Sequence, residues 1–293
     1  MKLDFVCVGA QKAGTTSLHD TLQLDSRIKL ANNKEAHWFE IEERYSLGVD
    51  NFFEKFYGID DFGSKIIGLI NPNLILKESA LERLKEDFPE VKIIYILRDP
   101  LERAWSHYQM TKARGIEKLE FPEALKVEND RIFDSQNWVE PKYKTTEKGF
   151  FELNHYSYKL RSDYYEHLNL LQRIFKKENV LICDFNTLKK DSEQFLRKIY
   201  AHIGLEYRSL DVKKSNETKG INLRNLTLYK SGFGRLLRHV FTLFLPSKII
   251  HRVRKKIRTN FLTKNEKISV DLDDFKEQFN VLHDQYQSII ESL

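Results

Sequence analysis

The sequence predicts an α/β fold of three layers, in which helices cover both faces of a central parallel sheet. Short apolar runs alternate with longer amphipathic segments along most of the chain, as in strands joined by helical crossovers. The chain has 293 residues and is 41% hydrophobic, which is enough to bury the core of one large domain. Because the sequence contains no internal repeat and no low-complexity linker, we expect a single domain over residues 1–293.

The individual elements follow from length and periodicity. Apolar runs predict strands at Asp4–Val8, Ile66–Ile70, Lys92–Leu97 and Asn179–Cys183. Amphipathic periodicity predicts helices at Thr15–Gln23, Ser79–Asp87, Leu101–Lys112, Tyr156–Lys176 and Asp191–Ile203. The segment Phe121–Lys148 lacks clear periodicity and is expected to be a long surface excursion. From about residue 219 to 293 the chain is expected to be helical, ending in an acidic amphipathic helix around Asp271–Leu293.

Positive charge is concentrated in this C-terminal part. The net charge is only +5, but the stretch between Glu217 and Glu266 carries twelve Lys and Arg residues and no acidic residue. Such a region favours contact with an anion. For residues 245–261, "LPSKIIHRVRKKIRTNF", three interpretations stay open: contact with an acidic glycan, peripheral contact with an anionic membrane, or a solvated helix face. No nucleic-acid partner is expected, since aromatic residues are not interleaved with these charges.

The sequence also gives indications about the cellular location of the protein and about metal binding. No stretch approaches the roughly 18 consecutive apolar residues of a membrane span, and the start "MKLDFVCVGA" reads as a core strand rather than a signal peptide. The two cysteines, Cys7 and Cys183, lie in strand-like runs, which favours buried thiols over a disulfide or a metal site. We therefore expect a cytoplasmic protein without a bound metal.

The first candidate site follows the first strand, in "VGAQKAGTTSL". Gly9 and Gly14 bracket four residues, as in the nucleotide-binding motif G-x-x-x-x-G-K-[ST]. Thr15 stands where that motif has its lysine, and the loop's lysine is Lys12, before the second glycine. Backbone N–H groups at such a helix start converge on an anion. The displaced lysine indicates a shorter anion than a nucleoside triphosphate.

The stretch "GAQKAGTTSL" resembles the 5′-phosphosulfate loop of sulfotransferases that use 3′-phosphoadenosine 5′-phosphosulfate (PAPS). The resemblance implies that Lys12 contacts the bridging oxygen and stabilises negative charge on the leaving phosphate. It also implies that the donor is held by the loop residues Gln11, Lys12, Ala13, Gly14, Thr15, Thr16 and Ser17. The nucleotide product would be adenosine 3′,5′-bisphosphate.

A second motif, "KIIYILRDPLERAWSHYQM" at residues 92–110, is a strand followed by a helix. Arg98 stands at the carboxyl end of the strand, where α/β sheets bind ligands, and Ser106 lies about two helical turns further on. The segment matches the sulfotransferase 3′-phosphate motif, which implies that Arg98 and Ser106 bind the 3′-phosphate. Lys219 and Gly220, in "SNETKGINLRN", are similar to the family's late loop over the 3′-phosphate and adenine.

The acceptor side is predicted at residues 32–56, "NNKEAHWFEIEERYSLGVDNFFEKF". This stretch resembles a segment of the heparan sulfate glucosaminyl 3-O-sulfotransferases and related bacterial carbohydrate sulfotransferases. The resemblance implies that Glu35 is the catalytic base and that His37 assists it. Carboxylates buried among aromatic rings have raised pKa values, which suits a base, so we expect Trp38 and Phe39 to surround Glu35. The alternative is a solvated helix face that carries Lys34 and Glu35.

One segment departs from these relatives. After the second predicted strand they place a polar G-E-x-[TS]-P-x-Y element, whereas this chain reads "IGLINPNLIL". Gly68, Asn71 and Pro72 persist, but the acidic residue and the aromatic residue are missing. The sequence therefore leaves the identity of the acceptor open, and it predicts no oligomeric state.

Taken together, these motifs predict in-line sulfuryl transfer from PAPS to a hydroxyl of a saccharide or glycolipid, without a metal. Two other functions stay open. One is an ATP- and Mg²⁺-dependent small-molecule kinase with a divergent loop, for which Asp99 would be the metal carboxylate. The other is a non-enzymatic protein that binds glycans or a membrane surface through its basic region.

Overall fold

The computed structural model describes residues 1–58, 62–133, 150–209 and 271–293. Its centre is a five-stranded sheet with the strand order β2-β3-β1-β4-β5, in which every pairing is parallel. The strands are β1 (Phe5–Gly9), β2 (Ile28–Leu30), β3 (Ile66–Ile70), β4 (Lys92–Leu97) and β5 (Val180–Asp184). Helices flank this sheet, which confirms the predicted α/β architecture.

The four predicted strands form β1, β3, β4 and β5 with shifts of at most one residue. All five residues of β1 are buried, because a central parallel strand is covered on both faces, and this gives the continuous apolar run that made it recognisable. The edge strand β2 was not predicted. It has only three residues, too few to show a period, and it forms by pairing Ile28 with Ile66 of β3.

Twelve helices are present in the described ranges. They are α1 (Thr15–Leu22), α2 (Glu42–Tyr45), α3 (Val49–Tyr57), α4 (Glu78–Asp87), α5 (Pro100–Ala113), α6 (Phe121–Lys126), α7 (Glu128–Phe133), α8 (Phe150–Tyr156), α9 (Tyr164–Ile174), α10 (Phe185–Lys190), α11 (Ser192–His202) and α12 (Lys276–Glu291). Short 3-10 helices lie at Leu74–Leu76, Leu160–Ser162, Lys177–Asn179 and Leu272–Phe275. The predicted acidic C-terminal helix is confirmed as α12.

Two predictions about helices are wrong. The single helix expected over Tyr156–Lys176 is interrupted, because Asp163 caps the start of α9 by accepting a hydrogen bond from the Glu166 N–H at 3.3 Å. The segment expected to be a surface excursion begins with α6 and α7 instead, and Phe121 is buried. Residues 134–149, Lys219, Gly220 and the basic segment 245–261 lie outside the described residues.

Buried apolar side chains form two clusters. The larger surrounds the sheet, and the smaller joins α5, α6 and α12 through Leu101, Tyr108, Phe121, Phe275 and Phe279. No helix in the described part of the chain is both long and apolar enough to cross a bilayer.

Candidate active site

The candidate site lies along the edge of the sheet where the parallel strands end. The chain passes from β1 to β2 and β3 on one side of the sheet and only later to β4 on the other side. The carboxyl ends of β1 and β4 therefore flank a topological switch point, the usual ligand position in open α/β sheets. The loop after β1 is fastened there, since the Ala10 N–H donates to the Ile96 carbonyl at 2.8 Å.

The loop after β1 leads to an uncapped helix start. Gly14 is the N-cap of α1 with φ of 84°, and no side chain caps this helix. A Cβ on Gly14 would come within 2.8 Å of Leu188 and Phe185, so both backbone conformation and space require glycine. Thr15, Thr16 and Ser17 form the first turn of the helix, and their N–H groups have the arrangement that binds anions.

Two other loop residues support this turn. Ala13 is fully buried, and its N–H donates to the Ala10 carbonyl at 3.1 Å. The side-chain oxygen of Gln11 is buried and has no hydrogen-bond partner among the described residues. The predicted donor residues from Gln11 to Ser17 thus form one compact turn, and their proposed contacts with a nucleotide stay predictions.

Lys12 lies in the same turn with φ of 73°, a left-handed conformation that is unusual for a lysine. No hydrogen bond or ion pair from a described residue reaches its Nζ. Burial, reinforced by the positive charges of Arg114 and Arg98, lowers the pKa of Lys12 to about 8. A buried ammonium surrounded by cations gains strongly from a nearby anion.

Arg98 connects the end of β4 to this loop. Its NH1 donates to the Lys12 carbonyl at 2.9 Å, and its NH2 lies 2.9 Å from the Glu102 carboxylate. The guanidinium also lies over the ring of Phe185, with Cζ 5.0 Å from the ring centroid. Ser106 lies in α5 and is only 9% exposed. No hydrogen bond between described residues joins it to Arg98, and its binding of a 3′-phosphate stays a prediction.

Both carboxylate oxygens of Asp99, the metal carboxylate of the kinase alternative, have partners within the protein. One of its oxygens accepts from the Glu102 N–H at 2.9 Å and caps α5, while the other lies 2.8 Å from Nδ1 of His283 on α12. No group of three or more His, Cys, Asp or Glu side chains in the described ranges is arranged to hold a metal ion.

The two cysteines are buried and free. Burial raises the pKa of the Cys7 and Cys183 thiols to about 12.

The acceptor loop follows β2 and lies beside the end of β3. Glu35 and His37 both have left-handed backbones, with φ of 64° and 48°, and the Glu35 N–H donates to the Ile70 carbonyl at 3.0 Å. The expected aromatic enclosure of Glu35 is wrong, because Trp38 and Phe39 are buried in the core and contact Phe52. The Glu35 side chain is 32% exposed, with Oε1 3.8 Å from Nζ of Lys34. The alternative of a solvated helix face also fails, since these residues are not helical.

His37 is held by a partner that the sequence reasoning did not assign. Its Nδ1 lies 3.1 Å from Oε1 of Glu40, and the same oxygen accepts from the Asn71 side-chain amide at 2.8 Å. Glu40 and Asn71 are almost fully buried. In "IGLINPNLIL", the polar group after β3 is therefore an amide, and the carboxylate that it contacts comes from the acceptor loop. The sequence did contain a signal for this contact, because Glu40, two residues after Trp38, matches an acidic position in the acceptor segment of the relatives.

Three cationic side chains bind the carbonyl groups of the acceptor loop. The NH1 of Arg44 donates to the carbonyls of Ala36 and His37 at 3.1 and 3.0 Å. Arg83 donates to the Phe39 carbonyl at 2.9 Å, and Lys77 donates to the Glu40 carbonyl at 2.7 Å. These contacts offset the strain of two left-handed residues, which is of order 1 kcal/mol each.

Two buried arginines strengthen the positive field. Arg103 donates to Ser162 Oγ at 2.7 Å, and Arg161 donates to the Asn73 side-chain oxygen at 2.8 Å. Burial, with the charge of Arg103, lowers the pKa of Arg161 to about 9. Arg103 also contributes to the lowered pKa of Lys12. Sequence reasoning missed both arginines because buried and exposed arginines look alike in a helical pattern.

Comparison with known proteins defines the class. Residues 2–246 match the family described as "Sulfotransferase domain", and the chain belongs to that family. A solved sulfotransferase from Alicyclobacillus acidocaldarius superimposes with a TM-score of 0.58 at 24% identity, covering 78% of this chain and 91% of that one. At this identity the superposition supports the fold alone.

Two curated relatives are longer proteins. Mouse bifunctional heparan sulfate N-deacetylase/N-sulfotransferase 4 is 25% identical over 206 residues, which cover 69% of this chain and 22% of that protein. Mouse heparan sulfate glucosamine 3-O-sulfotransferase 5 is 27% identical over 103 residues, which cover 35% of this chain and 29% of that protein. The matched regions thus span less than a third of the length of these relatives.

Proposed function

We propose that this protein transfers a sulfuryl group from PAPS to a hydroxyl of a saccharide. The observation that carries the proposal is the hydrogen bond from Arg98 to the Lys12 carbonyl at 2.9 Å, which joins two cationic strand ends into one site. A donor phosphorylated at both its 5′ and 3′ positions carries two separated anions. A site with one cation in a glycine turn and another on the neighbouring strand matches that charge distribution.

On the donor side, the first turn of α1 would hold the 5′-phosphate through backbone N–H groups. Lys12 would stand beside the oxygen that bridges phosphorus and sulfur and would stabilise its charge as the S–O bond breaks. Arg98 would hold the 3′-phosphate, exchanging part of its contact with Glu102 for the ligand. The ring of Phe185, which already lies against the Arg98 guanidinium, offers an apolar face beside the nucleotide.

On the acceptor side, Glu35 would accept the proton of the hydroxyl as its oxygen bonds to sulfur. The acceptor's O–H bond and the donor's S–O bond break while one new S–O bond forms, and the electron pair of the broken S–O bond leaves with the bisphosphate. His37 would be oriented by Glu40, whose buried carboxylate fixes the imidazole from one side. This sequence of events needs no redox partner.

A saccharide acceptor is supported by two of the relatives, whose names mention heparan sulfate. The basic residues of the described acceptor side, Arg44, Lys77 and Arg83, bind backbone carbonyls and are already partnered. We therefore leave the acceptor at the level of a hydroxyl-bearing saccharide.

The decisive experiment is calorimetric titration with adenosine 3′,5′-bisphosphate in EDTA, compared with ATP and Mg²⁺, for wild type and Arg98→Ala. We expect micromolar binding of the bisphosphate by the wild type and a loss of at least tenfold in the variant, because one charged contact is removed. Arg197→Ala, an exposed arginine on α11, is the matched control and should bind like the wild type.

Preference for ATP with Mg²⁺ would contradict the proposal and favour the kinase. If the wild type bound neither nucleotide, the interpretation as a glycan-binding protein would replace it. Equal binding by the wild type and Arg98→Ala would show that Arg98 is not part of the nucleotide site.

A further inference from the structure

Lys34 lies after β2, and its side chain extends to the first turn of α1. Its Nζ donates to Thr16 Oγ1 at 2.6 Å and lies 3.5 Å from Thr15 Oγ1. Thr15 and Thr16 are the first two residues of the helix. The ammonium therefore stands where backbone N–H groups of the phosphate-binding turn converge.

The position of this ammonium has a counterpart in triphosphate-binding loops. When Gly9 and Gly14 are aligned with G-x-x-x-x-G-K-[ST], Thr16 takes the last position, whose hydroxyl binds Mg²⁺. Here that hydroxyl accepts a hydrogen bond from an ammonium instead. A lysine Nζ has three donors and no acceptor, so at least one further donor can reach a phosphate oxygen while the bonds to Thr16 and Thr15 persist.

The charges around Lys34 also favour the binding of an anion. Among described residues, the acidic oxygen within 4 Å of its Nζ is Glu35 Oε1, at the long distance of 3.8 Å. Burial lowers the pKa of Lys34, and the positive charge of Lys34 in turn contributes to the lowered pKa of Lys12. Two partly buried ammonium groups thus converge on one turn, and burial outweighs the attraction of Glu35 and Asp20, so that the pKa of Lys34 stays lowered.

We propose that Lys34 is a donor-binding residue that takes the place of the divalent cation of triphosphate loops and holds the 5′-phosphate of the nucleotide. The inference rests on the proposed function, since it assumes an adenosine bisphosphate at this turn. It assigns the 5′ end of the ligand to two lysines, Lys12 from the loop and Lys34 from the adjacent strand end. It also links donor and acceptor, because Lys34 is the sequence neighbour and ion-pair partner of Glu35.

The test compares two nucleotides that differ only in the 5′-phosphate. Adenosine 3′,5′-bisphosphate and adenosine 3′-monophosphate are titrated into wild type, Lys34→Met and the control Lys29→Met, whose lysine on β2 lies near the ring of Phe62. We expect Lys34→Met to weaken bisphosphate binding at least tenfold and to change 3′-monophosphate binding less than twofold. Lys29→Met should leave both affinities unchanged, and the wild-type bisphosphate affinity should be the same in EDTA and in excess Mg²⁺.

Two further variants keep the test decisive. Lys34→Gln can still donate to Thr16, so it preserves the local packing if Lys34→Met folds poorly, and it should show the same tenfold loss. Lys34→Arg restores the charge and should recover most of the affinity. Wild-type affinity in Lys34→Gln, or an equal loss for both nucleotides, would overturn the assignment of Lys34 while leaving the proposed function intact. A wild type that binds neither nucleotide would instead refute the proposed function itself.

Discussion

At the scale of single residues, Lys12 shows how the fold changes the charge state of a candidate ligand-binding group. A lysine side chain in water has a pKa above 10, but burial and the neighbouring arginines lower the pKa of Lys12 to about 8. A nearby anion would favour the ammonium form and so raise this pKa again.

This shift predicts the pH dependence of nucleotide binding. Below pH 8 Lys12 is already protonated, whereas above pH 8 the free protein must take up a proton before the ammonium can bind the anion. We expect the dissociation constant of adenosine 3′,5′-bisphosphate to rise above pH 8, approaching tenfold per pH unit. Calorimetry in buffers of different ionisation enthalpy should show the proton uptake.

Lys12→Met is the comparison for this profile. It should bind more weakly at pH 7 and show a smaller slope above pH 8, because the titrating ammonium is gone. A wild-type profile that stays level from pH 7 to pH 10 would contradict the assignment of Lys12 to the ligand site.

At the scale of elements, the acceptor loop is held by its carbonyl groups. Glu35 and His37 occupy left-handed conformations that only strong surrounding contacts maintain. Arg44, which lies on α2, donates to the carbonyls of Ala36 and His37 and so holds the loop between the two candidate catalytic side chains. A short helix with no buried residue thereby acquires a positioning role.

We expect Arg44→Met to lower the turnover of sulfuryl transfer to the proposed saccharide acceptor at least tenfold while changing the affinity for adenosine 3′,5′-bisphosphate less than twofold. The reason is that the donor turn is built from other strand ends, whereas the loop that carries Glu35 loses two hydrogen bonds. Glu35→Gln should give the same split between turnover and binding. The idea fails if Arg44→Met turns over like the wild type, or if its bisphosphate affinity falls in parallel with its activity.

At the scale of the whole molecule, α12 joins distant parts of the chain beside the site. His283 contacts Asp99 at the end of β4, and the Tyr286 hydroxyl donates to Asp184 at the end of β5 at 2.8 Å. The helix is anchored by Phe279, which is buried in the smaller core cluster with Phe121 and Leu101. The C-terminal helix therefore stabilises the same sheet edge that carries the candidate donor residues.

Phe279→Ala should reduce the free energy of unfolding by about 3 kcal/mol, the usual cost of deleting a buried phenylalanine ring. Chemical denaturation monitored by circular dichroism measures this difference. Val281→Ala is the matched control on the same helix, since Val281 is 70% exposed, and it should change stability by less than about 0.5 kcal/mol. Equal stability of the two variants would show that α12 is not anchored through this cluster.

Local patterns were sufficient for the main features of the fold. The buried parallel strands β1, β3, β4 and β5 appear as continuous apolar runs because both of their faces are covered. The glycine turn before α1 is visible because Gly14 must adopt φ of 84° in a space closed by Leu188 and Phe185. Local patterns failed where a single side chain changed the outcome, as at Asp163, which ends one helical segment and caps the next.

The sequence by itself therefore determined four of the five strands, the glycine turn after β1 and the identity of the candidate donor lysine and arginine. Only the tertiary structure decided which side chains meet: Lys34 with Thr16, Glu40 with His37 and Asn71, and Arg98 with the carbonyl of Lys12. The physical reason is that strand and turn signals depend on neighbouring residues, whereas these contacts join chain segments brought together by the parallel order of the strands. The lowered pKa of Lys12 likewise follows from its burial in the folded protein, which no local sequence pattern indicates.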